Sequence, residues 1–382
     1  MEFAHSPRST LGIEWELQFI DADSFALRQC ADPVMTALRA LDTDTSSIHR
    51  EMLLNTVEFV SRPHQQVRHC VEDMCASTSV LEPVVHPMRV RLGTAGTHPF
   101  ANPASQIVTD SARYAELVNR TQYWGRQMLL FGTHIHVGIE DRAKVWPLIR
   151  ALLTRAYHIQ ALTSASPIWN AEVTGYASNR AMFFQQLPTA GIPYQFATWH
   201  EYEHYVDGMV TTGVIEQVNE VRWDIRPSPA NGTIELRMCD AATNRAELGM
   251  VAALAQCLVE YFSRQYDAGD ELPTLPDWFV RENKWRASRY GMEAILISDS
   301  LAKEELVAHV LAQMVAQLMP IAVELGCELE LEWVERIMTI GAPYQRQMEV
   351  FTQTGNGFRE AVRYVLAEFD AGHPIEPKDF LA

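Results

Sequence analysis

Three short apolar segments of the chain each carry two ionisable side chains two residues apart. They are Glu14-Trp15-Glu16, His134-Ile135-His136 and Glu235-Leu236-Arg237. In a β-strand, side chains two residues apart lie on one face of the sheet, and the residue between them points to the other face. The sequence therefore predicts a sheet with one ionisable face, backed by an apolar layer that contains Trp15, Ile135 and Leu236.

A fourth segment adds two more carboxylates, Glu51 and Glu58, on either side of the apolar residues 52–54. Because their spacing of seven is odd, they share a face only if one lies off the regular strand or at a bulge. Clustered carboxylates repel one another, so their convergence would require cations. Oxygen ligands with one imidazole suit magnesium or manganese. For any single pair, the alternative is the solvated face of an edge strand.

The hydrophobic patterns indicate an α+β fold. Strand-like segments cover residues 11–19, 53–60, 90–94, 131–139 and 233–238. Helical patterns cover residues 34–41, 67–81, 113–130, 144–163, 245–266, 301–325, 329–339 and 344–369. We expect one domain over residues 1–382, mostly helical from about residue 245. The proline-rich residues 272–276 could separate a catalytic body from a helical tail.

Composition restricts the partners. The chain has 48 acidic and 31 basic side chains and a formal charge of −17, which would repel nucleic acid and anionic lipid surfaces. No signal peptide and no run long enough to cross a bilayer is recognised, so we expect a cytoplasmic protein without a membrane partner. The six cysteines have no paired spacing, which favours free thiols.

A competing motif lies at residues 200–204. His200, Glu201 and His204 match the H-E-x-x-H pattern of zinc peptidases, in which Glu201 would be the general base and Glu216 or Glu220 a third ligand. The alternative is a solvent-facing helix start that matches by chance. No G-K-S/T tripeptide is present, so a nucleotide would not be bound by a Walker-type loop.

Seven motifs, taken together, resemble the type 2 glutamate–cysteine ligase family of carboxylate–amine ligases, in the glutamine synthetase-like superfamily. They lie at residues 11–16, 51–58, 96–100, 132–138, 223–229, 232–237 and 285–291 and span nearly the whole chain. The resemblance implies a curved antiparallel sheet with surrounding helices and a helical C-terminal region. ATP, metal ions and an amino acid would meet above that sheet.

The resemblance also implies roles for individual residues. The metal ligands would be Glu14, Glu16, Glu51, Glu58, His134 and Glu235. His136 would lie nearer the nucleotide, and Arg237 and Arg226 would meet the transferred phosphate or a substrate carboxylate. Further anion-binding candidates are Arg180, Arg286 and Arg289. A structural ion pair is the alternative for each arginine. Asn55 stands where relatives carry an acidic residue, and it is not counted as a ligand.

The implied reaction uses ATP with two or three magnesium ions, or manganese. The γ-carboxylate of L-glutamate would attack the γ-phosphate, and the amine of L-cysteine would displace phosphate from the acyl phosphate to give γ-glutamylcysteine and ADP. The substrates would thus be small amino acids. The alternatives are another acid or amine, the zinc peptidase, and a non-catalytic nucleotide-binding relative. The sequence leaves the oligomeric state open, with a homodimer among the alternatives.

Overall fold

A seven-stranded antiparallel sheet lies at the centre of the fold, in a computed structural model that describes residues 1–382. The chain forms thirteen strands, of which seven belong to this sheet and six form three two-stranded sheets. They are β1 (Leu11–Asp21), β2 (Ile48–Arg50), β3 (Thr56–Val60), β4 (Val90–Gly93), β5 (Gly132–Gly138), β6 (Ile168–Trp169), β7 (Glu172–Val173), β8 (Ala190–Gly191), β9 (Arg222–Trp223), β10 (Ile225–Ser228), β11 (Thr233–Asp240), β12 (Ile295–Ile297) and β13 (Glu304–Leu306). The order in the main sheet is β10-β11-β5-β1-β3-β2, and β4 also pairs with β1. The α+β prediction is confirmed.

Strand β1 is the central strand, and it pairs with three others in antiparallel register. Glu14 lies opposite His134 of β5, and Glu16 lies opposite Glu58 of β3. The apolar residues between the ionisable ones are buried on the other face, as Trp15 shows at 1% exposure. This alternation confirms the predicted two-faced sheet, since a pleated strand directs successive side chains to opposite sides.

Fifteen α-helices surround the sheet. They are α1 (Ala31–Arg39), α2 (Val67–Val85), α3 (Ala112–Thr121), α4 (Val145–Leu153), α5 (Ala156–Thr163), α6 (Asn179–Phe184), α7 (Trp199–Thr211), α8 (Arg245–Ala268), α9 (Asp277–Tyr290), α10 (Val307–Leu325), α11 (Glu328–Leu331), α12 (Trp333–Ile340), α13 (Pro343–Gln353), α14 (Phe358–Ala371) and α15 (Pro377–Leu381). The chain after residue 245 is mostly helical, as predicted.

Several predicted helices were too long. The helix predicted over 113–130 ends at Thr121 because Gln122 adopts a positive φ of 50°. The pattern over 344–369 forms two helices, since residues 354–357 contain two glycines and Gly355 has a φ of 73°. The helix predicted from 301 begins at Val307, after β13. Helix α9 and strands β2 and β10 were not predicted.

One hydrophobic cluster of 80 buried residues includes side chains from both the sheet and the C-terminal helices. Helix α8 packs against α2, α4 and β5 and also against α10, α11 and α12. The cluster thus continues on both sides of residues 272–276. The extent of the domain stays a prediction.

Helix α10 corrects the expectation about membrane-crossing segments. Val307–Leu325 is 19 residues long with a mean hydropathy of 1.4, so by length and composition alone it could cross a bilayer. Its apolar face packs in the core, where Leu311 and Leu318 are fully buried. This packing is that of a core helix, in which one face of a long apolar helix is covered by its neighbours.

Candidate active site

The ionisable face of the sheet forms the floor of a cavity of about 240 Å³. Carboxylates, a histidine and arginines line it side by side, since Arg180 and Arg237 both lie within 3.5 Å of His134. These charged lining residues are Glu14, Glu16, Glu51, Glu58, His134, Arg113, Arg180, Arg222, Arg226 and Arg237. The structure therefore brings together the side chains of strands that lie far apart in the sequence.

Glu14 connects two histidines of the neighbouring strand. Its Oε2 lies 2.8 Å from Nδ1 of His134, and its Oε1 lies 3.1 Å from Nε2 of His136. Burial opposes the charge of Glu14, yet the hydrogen bonds from the two histidines hold the pKa of its carboxyl well below the usual range. Burial, helped by the charge of Arg237, lowers the pKa of His134 to about 4. His134 therefore stays a neutral imidazole with a lone pair for a metal ion.

Glu16, Glu51 and Glu58 form a second acidic group, in which one oxygen of each lies within 4.8 Å of the others. Glu51 lies between β2 and β3, off the regular strand, which is how two carboxylates seven residues apart come to face the same way. Burial and the neighbouring Glu51 raise the pKa of Glu16 to about 8, and burial and the same neighbour raise that of Glu58 well above its usual range. Three crowded carboxylates are stable as anions only beside a cation.

Glu235 lies beneath the cavity and is fully buried. Its Oε2 accepts a hydrogen bond from Nε of Arg226 at 2.6 Å, and its Oε1 accepts one from Arg237. Although burial opposes ionisation, the two guanidinium groups lower the pKa of Glu235 below its usual range. The two arginines thus have a permanent counter-charge, which fixes their position at the edge of the cavity.

Two buried guanidinium groups retain an unpaired donor. Arg180 donates from Nη1 to the carbonyl of Arg237 at 3.1 Å, while its Nη2 lies 3.5 Å from Nε2 of His134. Neither Nε of Arg180 nor Nε of Arg237 has a hydrogen-bond partner. Because an unpaired buried donor costs free energy, both are suited to an oxyanion that enters the cavity.

Sequence reasoning missed Arg113, Tyr114 and Arg222. Arg222 donates to the carbonyl of Glu220 at 2.9 Å and has no carboxylate partner. Burial and the nearby charge of Arg113 lower the pKa of Arg222 to about 10. A hint was available for Arg222, since it directly precedes the motif at 223–229. Arg113 and Tyr114 lie in the first turn of α3 and belong to no functional motif.

The structure does not bring two of the predicted arginines to this cavity. Arg286 forms ion pairs with Glu282 at 2.8 Å and with Glu304 at 2.5 Å on the surface. Arg289 donates to the carbonyl of Gly175. The ion-pair alternative therefore describes Arg286, and neither arginine lines the cavity.

The donor sets fit hard divalent cations. Besides Glu16, Glu51 and Glu58, the groups that could hold an ion are Glu14 with Glu58 and His134, and Glu14 with His136 and Glu235. Each contains at least two carboxylates and at most one imidazole, which is the ligand preference of magnesium and manganese. Asn55 is fully buried, and its amide donates to Oε1 of Gln106 at 2.7 Å.

The H-E-x-x-H segment lies at the start of α7 on the surface. The side chain of His200 is 91% exposed, and its nearest carboxylate, that of Glu203, lies 3.9 Å away. Glu220 accepts the backbone N–H groups of Glu216 and Gln217 in its own turn. Neither His200 nor His204 belongs to a group of three potential metal ligands.

Known proteins resemble the chain over nearly its whole length. The model of glutamate–cysteine ligase family 2 matches residues 10–364. Relatives that carry the provisional name glutamate–cysteine ligase 2 include one from Arthrobacter sp. (strain FB24), 48% identical over 95% of this chain and 96% of its own. Another, from Mycobacterium ulcerans (strain Agy99), is 47% identical over 97% of this chain and 93% of its own.

Two solved structures share the fold at low sequence identity. The glutamate–cysteine ligase of Francisella tularensis, in complex with AMP, matches with a TM-score of 0.66 and 12% identity over 100% of this chain and 90% of its own. A bifunctional glutathione synthetase from Pasteurella multocida matches with a TM-score of 0.68 and 15% identity over 95% of this chain and 52% of its own.

The family model and the relatives make the chain a carboxylate–amine ligase by class, and the two solved structures share its antiparallel fold. Within that class, the chain belongs to glutamate–cysteine ligase family 2.

Proposed function

We propose that this protein is an ATP-dependent, ADP-forming ligase that joins the γ-carboxylate of L-glutamate to the amine of L-cysteine in the cytoplasm. The observation that carries the proposal is one cavity whose lining combines two potential cation sites with five arginines. Family membership and the relatives' names support the choice of substrates. The AMP in the Francisella tularensis structure supports a nucleotide ligand.

The carboxylates that line the cavity would hold the metal ions. Glu16, Glu51 and Glu58 would ligate one magnesium ion, while Glu14 with His134 or His136 would ligate others. Bound magnesium supplies neutralisation of the nucleotide phosphates and of the charge that develops during phosphoryl transfer. The residues themselves supply fixed positions, because strand pairing sets the distance between their carboxylates.

The arginines that line the cavity would bind the anionic groups of the reaction. The unpaired Nε groups of Arg180 and Arg237 would donate to the oxygens of the transferred phosphoryl group, and Arg222 would meet a substrate carboxylate. A planar guanidinium can donate two parallel hydrogen bonds to such groups. Preorganised donors of this kind stabilise a developing negative charge without reorganising during the step.

Apart from Tyr114 and Asn219, the rest of the wall is apolar and would protect the intermediate. Met52, Leu117, Met128, Leu130, Phe184 and Leu187 line the cavity beside the charged groups. An acyl phosphate is hydrolysed by water, so a ligase benefits from a wall that excludes it. The carboxylate attacks the γ-phosphorus and ADP leaves; the amine then attacks the acyl carbon and phosphate leaves.

The experiment is release of phosphate and ADP from magnesium ATP with L-glutamate, offered a panel of amino acids and amines, and with mass spectrometry of the products. We expect γ-glutamylcysteine as the main product. Arg222→Gln should raise the KM for one anionic substrate at least about tenfold, whereas Arg120→Gln, an exposed arginine that bonds the carbonyl of Val214, should not. Hydrolysis of ATP without a ligated product would refute the proposal.

The second candidate is the same chemistry on a different amine or acid, since the fold does not fix the substrate. A different ligated product in the panel would identify it.

A further inference from the structure

A fully buried carboxylate outside the cavity holds the segment that carries Arg180. Asp240, at the end of β11, accepts three hydrogen bonds: from the backbone N–H of Ala165 at 2.8 Å, from Oγ of Ser166 at 2.6 Å and from Oγ of Ser178 at 2.8 Å. The side chain is 1% exposed and touches none of the potential metal sites. Its hydrogen bonds therefore connect the sheet to two loop segments.

Both serines also accept hydrogen bonds from backbone N–H groups at the start of α6. Ser178 is the N-cap residue, whose Oγ accepts the N–H of Ala181 at 3.2 Å. Oγ of Ser166 accepts the N–H of Arg180 at 3.1 Å. An N-cap fixes the first turn of a helix, so Asp240 determines where the backbone of Arg180 lies relative to β11.

The side chain of Arg180 is positioned just as closely. It is 3% exposed, and its Nη1 donates to the carbonyl of Arg237, three residues before Asp240 on the same strand. A methyl group at residue 132 would collide with the guanidinium group, so Gly132 leaves the space that the side chain occupies. Its Nε donor is buried without a hydrogen-bond partner, and the residue lines the cavity.

Gly96, a glycine of another motif, leaves space for the carboxylate of Asp240. A methyl group at Gly96 would lie 2.5 Å from the carboxyl carbon of Asp240. Two glycines from different motifs thus leave room for the two ends of one assembly, the Asp240 carboxylate and the Arg180 guanidinium group. Packing this close is how a rigid support fixes a functional side chain.

We propose that Asp240 is a positioning residue, which acts through Ser166, Ser178 and the start of α6 to hold the guanidinium group of Arg180 in place for an oxyanion in the cavity. The oxyanion is a phosphoryl oxygen of the nucleotide or a substrate carboxylate. This inference rests on the proposed function for the identity of the ligand. Asp240 itself makes no contact with the reacting groups.

The test is a double-mutant cycle between Asp240→Asn and Arg180→Lys. Asparagine has nearly the shape of aspartate but replaces one acceptor oxygen with a donor. We expect each single variant to weaken the same parameter at least about fivefold, either the affinity for magnesium ADP or that for L-glutamate, and to lower turnover. The double variant should be no worse than Arg180→Lys alone.

Ser178→Ala is a milder variant that keeps the test valid if Asp240→Asn fails to fold. Its matched control is Ser77→Ala, a buried serine on α2 whose Oγ lies 2.8 Å from that of Ser47. Both should lower the melting temperature slightly, but only Ser178→Ala should weaken ligand binding non-additively with Arg180→Lys. A loss of affinity for magnesium ADP would identify the oxyanion as a phosphoryl oxygen of the nucleotide. A loss of affinity for L-glutamate would identify it as a substrate carboxylate.

Effects that multiply in the double variants would overturn the inference, because Asp240 would then act on general stability only. The cycle is measured by calorimetry as well as by turnover. If wild-type protein binds the probes but ligates nothing, the proposed function fails while the coupling of Asp240 to Arg180 is still decided. If wild-type protein binds neither probe, both proposals are refuted.

Discussion

Glu16 of β1 and Glu58 of β3 are directly opposite one another in the sheet, so two partly buried carboxylates share one position of the strand ladder. Like charges placed opposite each other destabilise a sheet. The pKa of each carboxyl is raised, by burial first and then by the neighbouring carboxylates. The metal-free protein therefore carries a local instability that a cation would relieve.

We expect Glu58→Gln to raise the free energy of unfolding of the metal-free protein by about 1 kcal/mol at pH 7, because the raised pKa of Glu58 makes folding cost the uptake of a proton at that pH, whereas glutamine is already neutral. The same change should lower ATP turnover with magnesium at least about 100-fold. Chemical denaturation in a chelator and ADP release measure the two effects. Glu82→Gln on the exposed side of α2 is the control. A less stable metal-free variant would contradict the explanation.

Glu235→Gln should have the opposite effect on stability. Removing this carboxylate leaves the guanidinium groups of Arg226 and Arg237 without their counter-charge, and breaking a buried ion pair in this way costs about 3 kcal/mol. Denaturant midpoints of wild type and variant measure it. An unchanged midpoint would mean that the arginines find another acceptor.

Arg237→Lys should lower ADP formation from glutamate and cysteine at least about 100-fold. Lysine can still form an ion pair with Glu235, but it cannot offer a second donor in the same plane to an oxyanion. The protein should remain folded, as circular dichroism would show. Turnover close to that of the wild type would remove Arg237 from the mechanism.

His200→Ala and His204→Ala should leave ligase turnover within about a few-fold of wild type, as is usual for surface side chains. Metal analysis of the purified protein completes the test. Tightly bound zinc that disappears in either variant, together with lost activity, would restore the peptidase hypothesis.

His98 should make stability fall in mild acid. Its Nε2 lies 2.9 Å from the carbonyl of Phe25, and its Nδ1 accepts the N–H of Ala101 at 3.1 Å, so the ring is held neutral. Burial lowers its pKa to about 4, although the Phe25 carbonyl opposes this shift. The unfolded chain therefore binds the proton first, and this stability is present above pH of about 6.5 and lost as the pH falls towards 4.

Between pH 7 and 5, wild-type protein should lose about 2 kcal/mol more than His98→Gln, which lacks the titrating ring. Urea unfolding at both pH values gives the difference. Equal losses in the two proteins would show that His98 does not contribute.

The sequence by itself determined which side chains share a face of each strand. Alternation is a local property of an extended backbone, so the pairs at Glu14 and Glu16 and at His134 and His136 could be assigned before any strand was placed. The apolar layer behind them followed from the same alternation. The motifs also indicated the family, because they occur in a fixed order along the chain.

Only the tertiary structure decided which strands are neighbours and which arginines reach the cavity. Arg113 and Arg222 come from a helix and a short strand with no shared pattern, while Arg286, inside a motif, is paired at the surface. Helix ends such as Thr121 also depended on single backbone angles that the hydrophobic pattern does not contain. Contacts between distant segments depend on how the whole core packs, and a local pattern does not encode that packing.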